Sequence, residues 1–172
     1  MKKLMAMMMA MAMAFSVAAC GGGEEAPAGP TLVEKQFGEY VTMMIPDDCQ
    51  DMVEQEGMVG IPGPGYSVVV SDPYEEELLA ADVTEELALE LVAAEKENAK
   101  IVDFQNPVEV DGTEAVIFTV DEGNGNTQTF VILYYMLDDV MQQQMICYTY
   151  TTDEDTTLKT SLDEVIGSIK IG

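Results

Sequence analysis

One uninterrupted apolar run, residues 130–137, sets the strongest limit on how this chain can fold. Successive side chains of a β-strand point to opposite faces of the sheet, and in this run both sets are apolar. A sheet with one wetted face would alternate apolar and polar residues, so both faces of this strand must be covered. Residues 115–118 have the same character. We therefore predict an α+β fold, a three-layer α/β/α sandwich in which helices cover both faces of a largely antiparallel sheet.

Turn signals divide the second half of the chain into an antiparallel meander. They are Asp111-Gly112, the Gly-Asn repeat at residues 123–126, and Asp138-Asp139. The strands predicted between them cover residues 101–110, 113–121, 127–137 and 144–152. Aromatic and β-branched residues predict earlier strands at 37–45, 58–61 and 66–71.

Two amphipathic helices are predicted from apolar residues that recur at intervals of three and four. The first covers residues 82–100, begins at a Thr84 cap, and carries Lys96 and Lys100 in its last turn. The second ends at about Gly167, and its apolar positions are Leu158, Leu162, Val165, Ile166 and Ile169. A single helical turn is also indicated by the spacing of Asp51 and Glu54.

The amino terminus has the pattern of a lipoprotein signal peptide. Two lysines precede an apolar run at residues 4–17, and Val-Ala-Ala stands directly before Cys20. The run is shorter than the roughly 20 residues that cross a bilayer. We predict cleavage after residue 19 and acylation of the Cys20 thiol, which would hold the protein on the outer, extracytoplasmic side of a membrane. The alternative is an ordinary secretory signal.

Residues 20–30 are mostly Gly, Ala, Pro and Glu, which is typical of a flexible tether, and residues 31–172 suffice for one domain. Loss of residues 1–19 would leave five basic residues against 32 acidic ones, a net charge of about −27. Such a surface repels nucleic acid and anionic headgroups, so neither is an expected partner. Cations and basic protein faces stay possible, although acidity also serves solubility alone.

Catalytic residue types are scarce in this composition. The chain contains no histidine, arginine or tryptophan, which excludes histidine-dependent nucleophilic triads. We predict that the protein is not an enzyme. A cell-wall hydrolase that uses paired carboxylates is the least favoured alternative, since no acidic pair stands out among so many.

Calcium is the metal that an acidic chain without histidine could best bind, but no metal site or cofactor is predicted. The loop at residues 121–126 superficially resembles a calcium loop, yet Ile132 stands where a bidentate Glu is required. A polar hairpin explains it better. Further acidic groups, Asp47, Asp48 and Asp51, and the acids at 153–155, are explained as turn and cap residues. A calcium-dependent binding module is kept as an alternative function.

Cys49 and Cys147 would be the cysteines left after lipidation, an even number outside the cytoplasm. A disulfide between them is a hypothesis, and two separate buried thiols are the slightly favoured alternative. A contact surface is proposed at a stiff loop that ends in an aromatic residue: Pro62, Gly63, Pro64, Gly65 and Tyr66. An inward-packed Tyr66 is the favoured alternative there. For Tyr134, Tyr148 and Tyr150, core positions are expected rather than a ligand shelf.

The order of these elements resembles the PsbP-like superfamily, and within it the small bacterial DcrB-like lipoproteins. The residues that carry the resemblance are Ile-Pro-Asp-Asp at 45–48, Ala-Lys-Ile-Val at 99–102 and Val-Asp-Gly at 110–112. Similarity runs from about Phe37 to Gly172. This sequence departs from the pattern at Cys49, where such relatives usually carry tryptophan, which puts the local packing in doubt. The resemblance implies a non-enzymatic domain that binds a protein of the envelope or a small ligand.

Overall fold

The computed structural model describes residues 30–75, 78–93 and 98–172. The predicted signal peptide at 1–19, the lipidation residue Cys20 and nearly all of the 20–30 tether lie outside the described residues. The described strands are β1 (Leu32–Phe37), β2 (Val41–Pro46), β3 (Val53–Gln55), β4 (Met58–Gly63), β5 (Tyr66–Ser71), β6 (Tyr74–Glu75), β7 (Lys100–Val110), β8 (Thr113–Asp121), β9 (Asn126–Leu137), β10 (Val140–Thr151) and β11 (Lys170–Ile171). The helices are α1 (Glu85–Ala93), α2 (Thr157–Gly167) and a short 3-10 helix, Ala80–Asp82.

The strands form two sheets in which every pairing is antiparallel. The large sheet has eight strands in the order β3-β4-β5-β10-β9-β8-β7, and β6 pairs with β10 beside β5. The small sheet has the order β1-β2-β11. Asp111 and Gly112 both adopt positive φ, as do Asp138 and Asp139, so two of the predicted tight turns are confirmed.

The central strand β9 is buried on both faces, as its apolar run predicts. Val131 and Leu133 point toward one core, whereas Phe130 and Ile132 point toward another. The first core, here called the α2-side core, joins that face of the large sheet to α2 and to the small sheet. The second, the α1-side core, lies against α1 and the 3-10 helix. The prediction of an α+β fold with both faces of an antiparallel sheet covered is confirmed.

Several local features differ from what the sequence predicts. The predicted strand at 37–45 is interrupted by a turn at Gly38, whose φ of +61° suits glycine, so two strands form a hairpin here. Because β1 and β2 join β11, the layer over the α2-side core combines a helix with a small sheet. Asp51 and Glu54 do not form a helical turn, because Glu54 lies in β3. The strand β11, beyond Ile169, was not predicted.

The first helix does not occupy the whole predicted range of residues 82–100. Its described part is Glu85–Ala93, and the Thr84 hydroxyl caps it by accepting from the Leu87 N–H at 3.1 Å. Lys100 already belongs to β7, so its predicted place in the last helical turn is wrong. Lys96 lies outside the described residues. In residues 30–75, 78–93 and 98–172, no helix has the length and hydrophobicity that crossing a bilayer requires.

Candidate functional site

A row of five directly paired side chains crosses the large sheet on its α1 side. Its members are neighbours on adjacent strands, from β7 through β8, β9 and β10 to β6: Glu109, Glu114, Tyr134, Gln143 and Tyr74. We call this set the polar row. It lies at the end of the α1-side core, next to the buried positions Val116, Ile132 and Met145 of the same face. Polar groups therefore replace apolar ones at this end of the core.

Gln143 is the buried centre of the polar row, with 1% of its surface exposed. Its side-chain amide donates a hydrogen bond to the Tyr134 hydroxyl at 2.7 Å. The amide oxygen on the other side, Oε1, accepts no hydrogen bond. A buried polar atom left without a partner costs about 1 to 3 kcal/mol, so such an atom in a folded protein requires an explanation.

Glu109 and Glu114 form the exposed end of the polar row. They stand directly opposite each other across the β7–β8 hairpin, just before and after the Asp111-Gly112 turn. Neither carboxylate forms an ion pair with a lysine of the described residues, whose ion pairs are Lys159–Asp155 and Lys170–Glu34. Like charges directly opposite on two strands repel and destabilise the pairing. This end of the sheet is therefore held at a cost in stability.

An apolar rim borders the polar row at the tip of the β9–β10 hairpin. Met136 and Met141 pair with each other two residues beyond Tyr134 and Gln143, and so lie on the same face. The Met136 side chain is 57% exposed, and Val140, on the opposite face of the tip, is also exposed. The thioether chain of Met adapts to many shapes, which suits it to contact surfaces.

The 3-10 helix is fixed in place near this site by Asn106 of β7. The Asn106 side-chain amide donates to the carbonyl oxygens of Ala80 at 2.8 Å and Val83 at 2.6 Å. The Ala80 carbonyl also accepts from the Val83 N–H at 3.0 Å, so the amide adds a second bond there and ties the end of the short helix to β7. The 3-10 helix is thus held against β7 by a side chain of the sheet.

The loop that the sequence suggests as an exposed contact surface is mostly buried in the structure. Tyr66 is 1% exposed, and its ring lies against Gly63, where a Cβ atom would come within 2.0 Å of the ring. The Tyr66 hydroxyl donates to Asp48 at 2.6 Å, and Thr157 at the start of α2 donates to the other oxygen of Asp48 at 2.8 Å. Of the loop residues Pro62, Gly63, Pro64, Gly65 and Tyr66, only Pro64 is exposed, so the inward-packed alternative is correct.

Burial and the Asp48 carboxylate both raise the pKa of Tyr66 above its ordinary value, because each disfavours a negative phenolate. Asp48 therefore joins three elements: the end of β2, the start of β5 and the first turn of α2. The Ile-Pro-Asp-Asp turn has a structural role in this network. Tyr148 and Tyr150 lie in the α2-side core and Tyr134 in the α1-side core, all buried, as expected.

Cys49 and Cys147 are both thiols, and no disulfide joins them. Cys147 lies in the α1-side core, whereas Cys49 packs against the α2-side core on the opposite face of the sheet. The hypothetical bridge would have to pass through the large sheet, and the alternative of two separate thiols describes the structure. Burial raises the pKa of the half-buried Cys49 thiol, an effect that the nearby Lys35 opposes.

The loop between β8 and β9 uses its polar side chains internally. Asp121 accepts from the Gly123 N–H at 2.8 Å, and the Asn124 side-chain oxygen accepts from the Asn126 N–H at 3.0 Å. These oxygens close the hairpin, as the polar-hairpin interpretation expects. Within the described part of the chain, no group of three or more acidic or cysteine side chains is placed to hold a metal ion.

The polar row was not identified from the sequence, although part of its signal was present. The Asp111-Gly112 turn implies that Glu109 and Glu114 face each other, because a two-residue hairpin determines the register of its strands. The pairing of Tyr134 with Gln143 follows in the same way from the Asp138-Asp139 turn. The unpartnered oxygen and the end of the covering layer have no such signal, since they depend on where α1 and the 3-10 helix pack.

Sequence comparison finds no relatives: no protein-family model matches the chain, and no curated protein does either. Structural comparison does. Cyanobacterial PsbP (CyanoP) from Synechocystis superposes with a TM-score of 0.57 at 14% identity, covering 91% of this chain and 99% of that one. This chain has a PsbP-like fold. The resemblance predicted from short motifs is confirmed at the level of the fold.

Two further structures share the PsbP-like fold at similar distance. The Ran-binding protein Mog1p of Saccharomyces cerevisiae has a TM-score of 0.54 at 10% identity, over 83% of this chain and 96% of its own. LpqN of Mycobacterium tuberculosis, described as involved in cell envelope biogenesis, has a TM-score of 0.53 at 14% identity, over 82% and 90%. The chain also matches a Bacteroides thetaiotaomicron protein, of whose length it spans 45%, with a TM-score of 0.42 at 12% identity.

Proposed function

We propose that this protein is a lipid-anchored, non-catalytic binding module on the extracytoplasmic face of a membrane, and that it binds an envelope protein through the α1 side of its large sheet. The observation that carries the proposal is the group of exposed side chains at one end of that sheet, Glu109, Glu114 and Met136. There two carboxylates and a methionine meet solvent beside buried polar side chains, in a fold whose opposite face is closed by a helix and a second sheet.

The anchor is supported by the lipobox at Cys20 and by the tether that follows it. Fully extended, the ten residues between Cys20 and the domain reach roughly 30 Å, which lifts the folded part clear of the headgroups. This fold is compatible with a position at the cell envelope, since LpqN, which has the same fold, is described as involved in cell envelope biogenesis. Membrane contact in this proposal is made by the lipid.

A binding role without chemistry is supported by the residues at the site. Two exposed carboxylates, a buried amide, tyrosines and methionines can accept hydrogen bonds and pack against a partner. They provide no histidine base and no cysteine or serine nucleophile in a hydrogen-bonded pair. Of the solved structures that share the fold, Mog1p is described as a Ran-binding protein. For this chain the partner is an envelope protein of unknown identity.

Photocrosslinking in intact cells tests this function. A photoreactive amino acid replaces Met136 in the full-length lipoprotein, and a matched variant carries it at Glu164, an exposed position of α2 on the other side of the molecule. Irradiation followed by purification and mass spectrometry should recover one envelope protein from the Met136 variant and not from the Glu164 variant. A C20A variant should be released from the membrane and lose most of this product.

Two results would contradict the proposal. Equal recovery of the same proteins from both positions would show that the α1 side has no special part in binding. Membrane retention of the C20A protein would show that Cys20 is not the anchor.

A further inference from the structure

The long strand β7 lies at one edge of the large sheet, and among the described residues no strand pairs with its outer side. It has 11 residues, whose outward backbone N–H and C=O groups are available to a further strand, whereas β3 at the opposite edge has only 3. Val102 of β7 is 61% exposed, more than any other large apolar side chain in the described part of the chain. An apolar side chain on an open edge favours pairing with another strand.

A β-bulge at Val102 changes which side chains share a face of β7. Lys100 pairs with Asp121 of β8, Asp103 pairs with Thr119, and Val102 is the extra residue between them. Asp121 and Thr119 are two residues apart, so they and their partners Lys100 and Asp103 point to the same face of the sheet. In a regular strand, residues three apart would point to opposite faces. The bulge therefore places one positive and one negative side chain, both exposed, on one face.

This arrangement is complementary to itself. If two copies of β7 pair antiparallel about a two-fold axis at the bulge, Lys100 of each copy lies opposite Asp103 of the other, on the same face. Two pairs of opposite charge then flank the axis, and the two Val102 side chains meet beside it. A charged residue and a bulge at a sheet edge usually discourage pairing with other strands. Here they fit a strand of the same sequence better than a foreign one, which makes the pairing specific.

The contact is confined to residues 99–104 of each copy. Beyond them the register of β7 shifts again between Gln105 and Val108, and Pro107 has no N–H to donate to a ladder. So short a contact buries less surface than a stable dimer needs, and two acidic domains repel each other. We therefore expect a weak pair in dilute solution, which confinement of both copies to one membrane strengthens by raising their local concentration.

We propose that β7 is a homodimerisation edge, at which two copies of this chain join their large sheets through residues 99–104. Lys100 of one copy lies against Asp103 of the other, and one continuous sheet runs through both. The proposal goes beyond the binding function above and does not depend on it. Lys100 lies in register with Asp121 and Thr127, at the end of the sheet away from the β9–β10 tip, so the polar row stays free in the dimer.

Disulfide crosslinking tests the pair. V102C is introduced into the full-length lipoprotein in membranes, where the two Cα atoms beside the axis should be about 5 Å apart, within the range for a disulfide. V53C is the matched control, because Val53 is an exposed valine of β3 at the opposite edge. Mild oxidation should give a disulfide-linked dimer from V102C and little from V53C. The wild type, with its half-buried Cys49, sets the background.

Charge reversal separates the specific pairs from net charge. On the V102C background, D103K should lower the yield of dimer about tenfold, because lysines then face each other on both sides of the axis. The same change makes the chain less acidic, so general repulsion alone would raise the yield. E164K changes the net charge equally on the exposed surface of α2 and should not lower the yield.

A charge swap provides the rescue. K100D should lower the yield as D103K does, and the double variant K100D/D103K should restore it, because the charges across the axis are again opposite. K100D also weakens the pairing with Asp121 inside one chain, but that loss persists in the double variant. The rescue therefore reports the contact between copies.

The proposal is wrong if V53C and V102C give equal yields, because the crosslink would then report random collisions in the membrane. It is also wrong if D103K raises the yield as general repulsion predicts, or if the double variant stays as low as the single ones. Thermal unfolding checks each variant. If K100D proves unstable, the comparison of D103K with E164K decides alone, since both of those positions are exposed.

Discussion

The two faces of the large sheet are closed in different ways. The α2-side core is covered by a helix and a three-stranded sheet, and polar groups at its border are paired, as in the Tyr66–Asp48–Thr157 network. The α1-side core is covered by a nine-residue helix and a 3-10 turn. At its border lie two opposed glutamates, an amide oxygen without a partner and an exposed methionine.

This difference indicates a division of roles within one sheet. Paired polar groups and a closed apolar core contribute to stability, whereas opposed charges and an unsatisfied acceptor reduce it. Features of the second kind persist in proteins where a ligand or partner uses them. We therefore expect substitutions on the α2 side to lower stability, and substitutions in the polar row to change binding with little or opposite effect on stability.

The largest expected effect comes from truncating neighbouring core residues of β9. Leu133 and Ile132 are both fully buried but point to the α2-side and α1-side cores respectively. Leu133→Ala should lower the free energy of unfolding by about 4 kcal/mol and Ile132→Ala by about 3, because a face closed by a single short helix can relax around the cavity. Urea denaturation measures both. If Ile132→Ala lowered the free energy of unfolding as much as Leu133→Ala or more, the two faces would not differ in their ability to relax.

Overpacking on the α2 side should have the next largest effect. A methyl group at Gly63 would meet the Tyr66 ring at 2.0 Å, and Tyr66 is held by its contact with Asp48. Gly63→Ala should therefore cost about 2 to 3 kcal/mol, within the range for forced side-chain shifts. Gly167→Ala is the control, since a Cβ there meets nothing within 4 Å. Similar melting temperatures for both variants would show that the loop and the Tyr66 ring shift to accommodate the methyl group at little cost.

The Tyr66–Asp48 hydrogen bond predicts a pH dependence of stability. Tyr66→Phe should lower the free energy of unfolding at neutral pH by about 1 kcal/mol, the usual net value for one hydrogen bond. The folded-state pKa of Tyr66 is raised, so its contribution is present below the unfolded value of about 10 and is lost as pH rises through the folded value. The variant should then lose stability less steeply above about pH 10 than the wild type. If the free energy of unfolding fell equally steeply with pH in the variant and in the wild type above about pH 10, this prediction would be wrong.

The smallest expected effect has the opposite sign and concerns the polar row. Glu114→Gln removes the repulsion with Glu109 and should raise the free energy of unfolding by a few tenths of a kcal/mol. Added salt should abolish the gain, because it screens exposed charges. Melting curves at low and high ionic strength provide the measurement. A loss of stability in Glu114→Gln would show that the carboxylate has a structural partner.

Much of the fold could be predicted from local patterns. The double-sided apolar run of β9, the Asp111-Gly112 and Asp138-Asp139 turns, and the α2 periodicity each depend on short-range chemistry, and each is confirmed. Prediction failed where a segment depends on distant partners. The β1–β2 hairpin and β11 exist because the three strands pair with one another, and Lys100, predicted to lie in a helix, belongs to β7 because that strand pairs with β8.

The candidate site was predictable only in part, for the same reason. The proposed contact at Tyr66 was based on the exposure expected of a Pro-Gly loop, but Asp48, eighteen residues earlier, draws the hydroxyl inward. The hydrogen bond and the burial of the ring together make the inward position of Tyr66 more stable than an exposed one. The polar row, by contrast, uses residues of unremarkable type, and its character appears only when the register brings them together.

The sequence by itself determined the class of the fold, the two-sided burial of its central strand and the absence of histidine chemistry, because these depend on residue type and local spacing. Only the tertiary structure decided which elements would cover each face of the sheet. That outcome depends on where a helix ends and which strands find partners, and these are set by packing between segments far apart in the chain. The unpaired oxygen of Gln143 and the facing charges of Glu109 and Glu114 acquire their meaning from that packing.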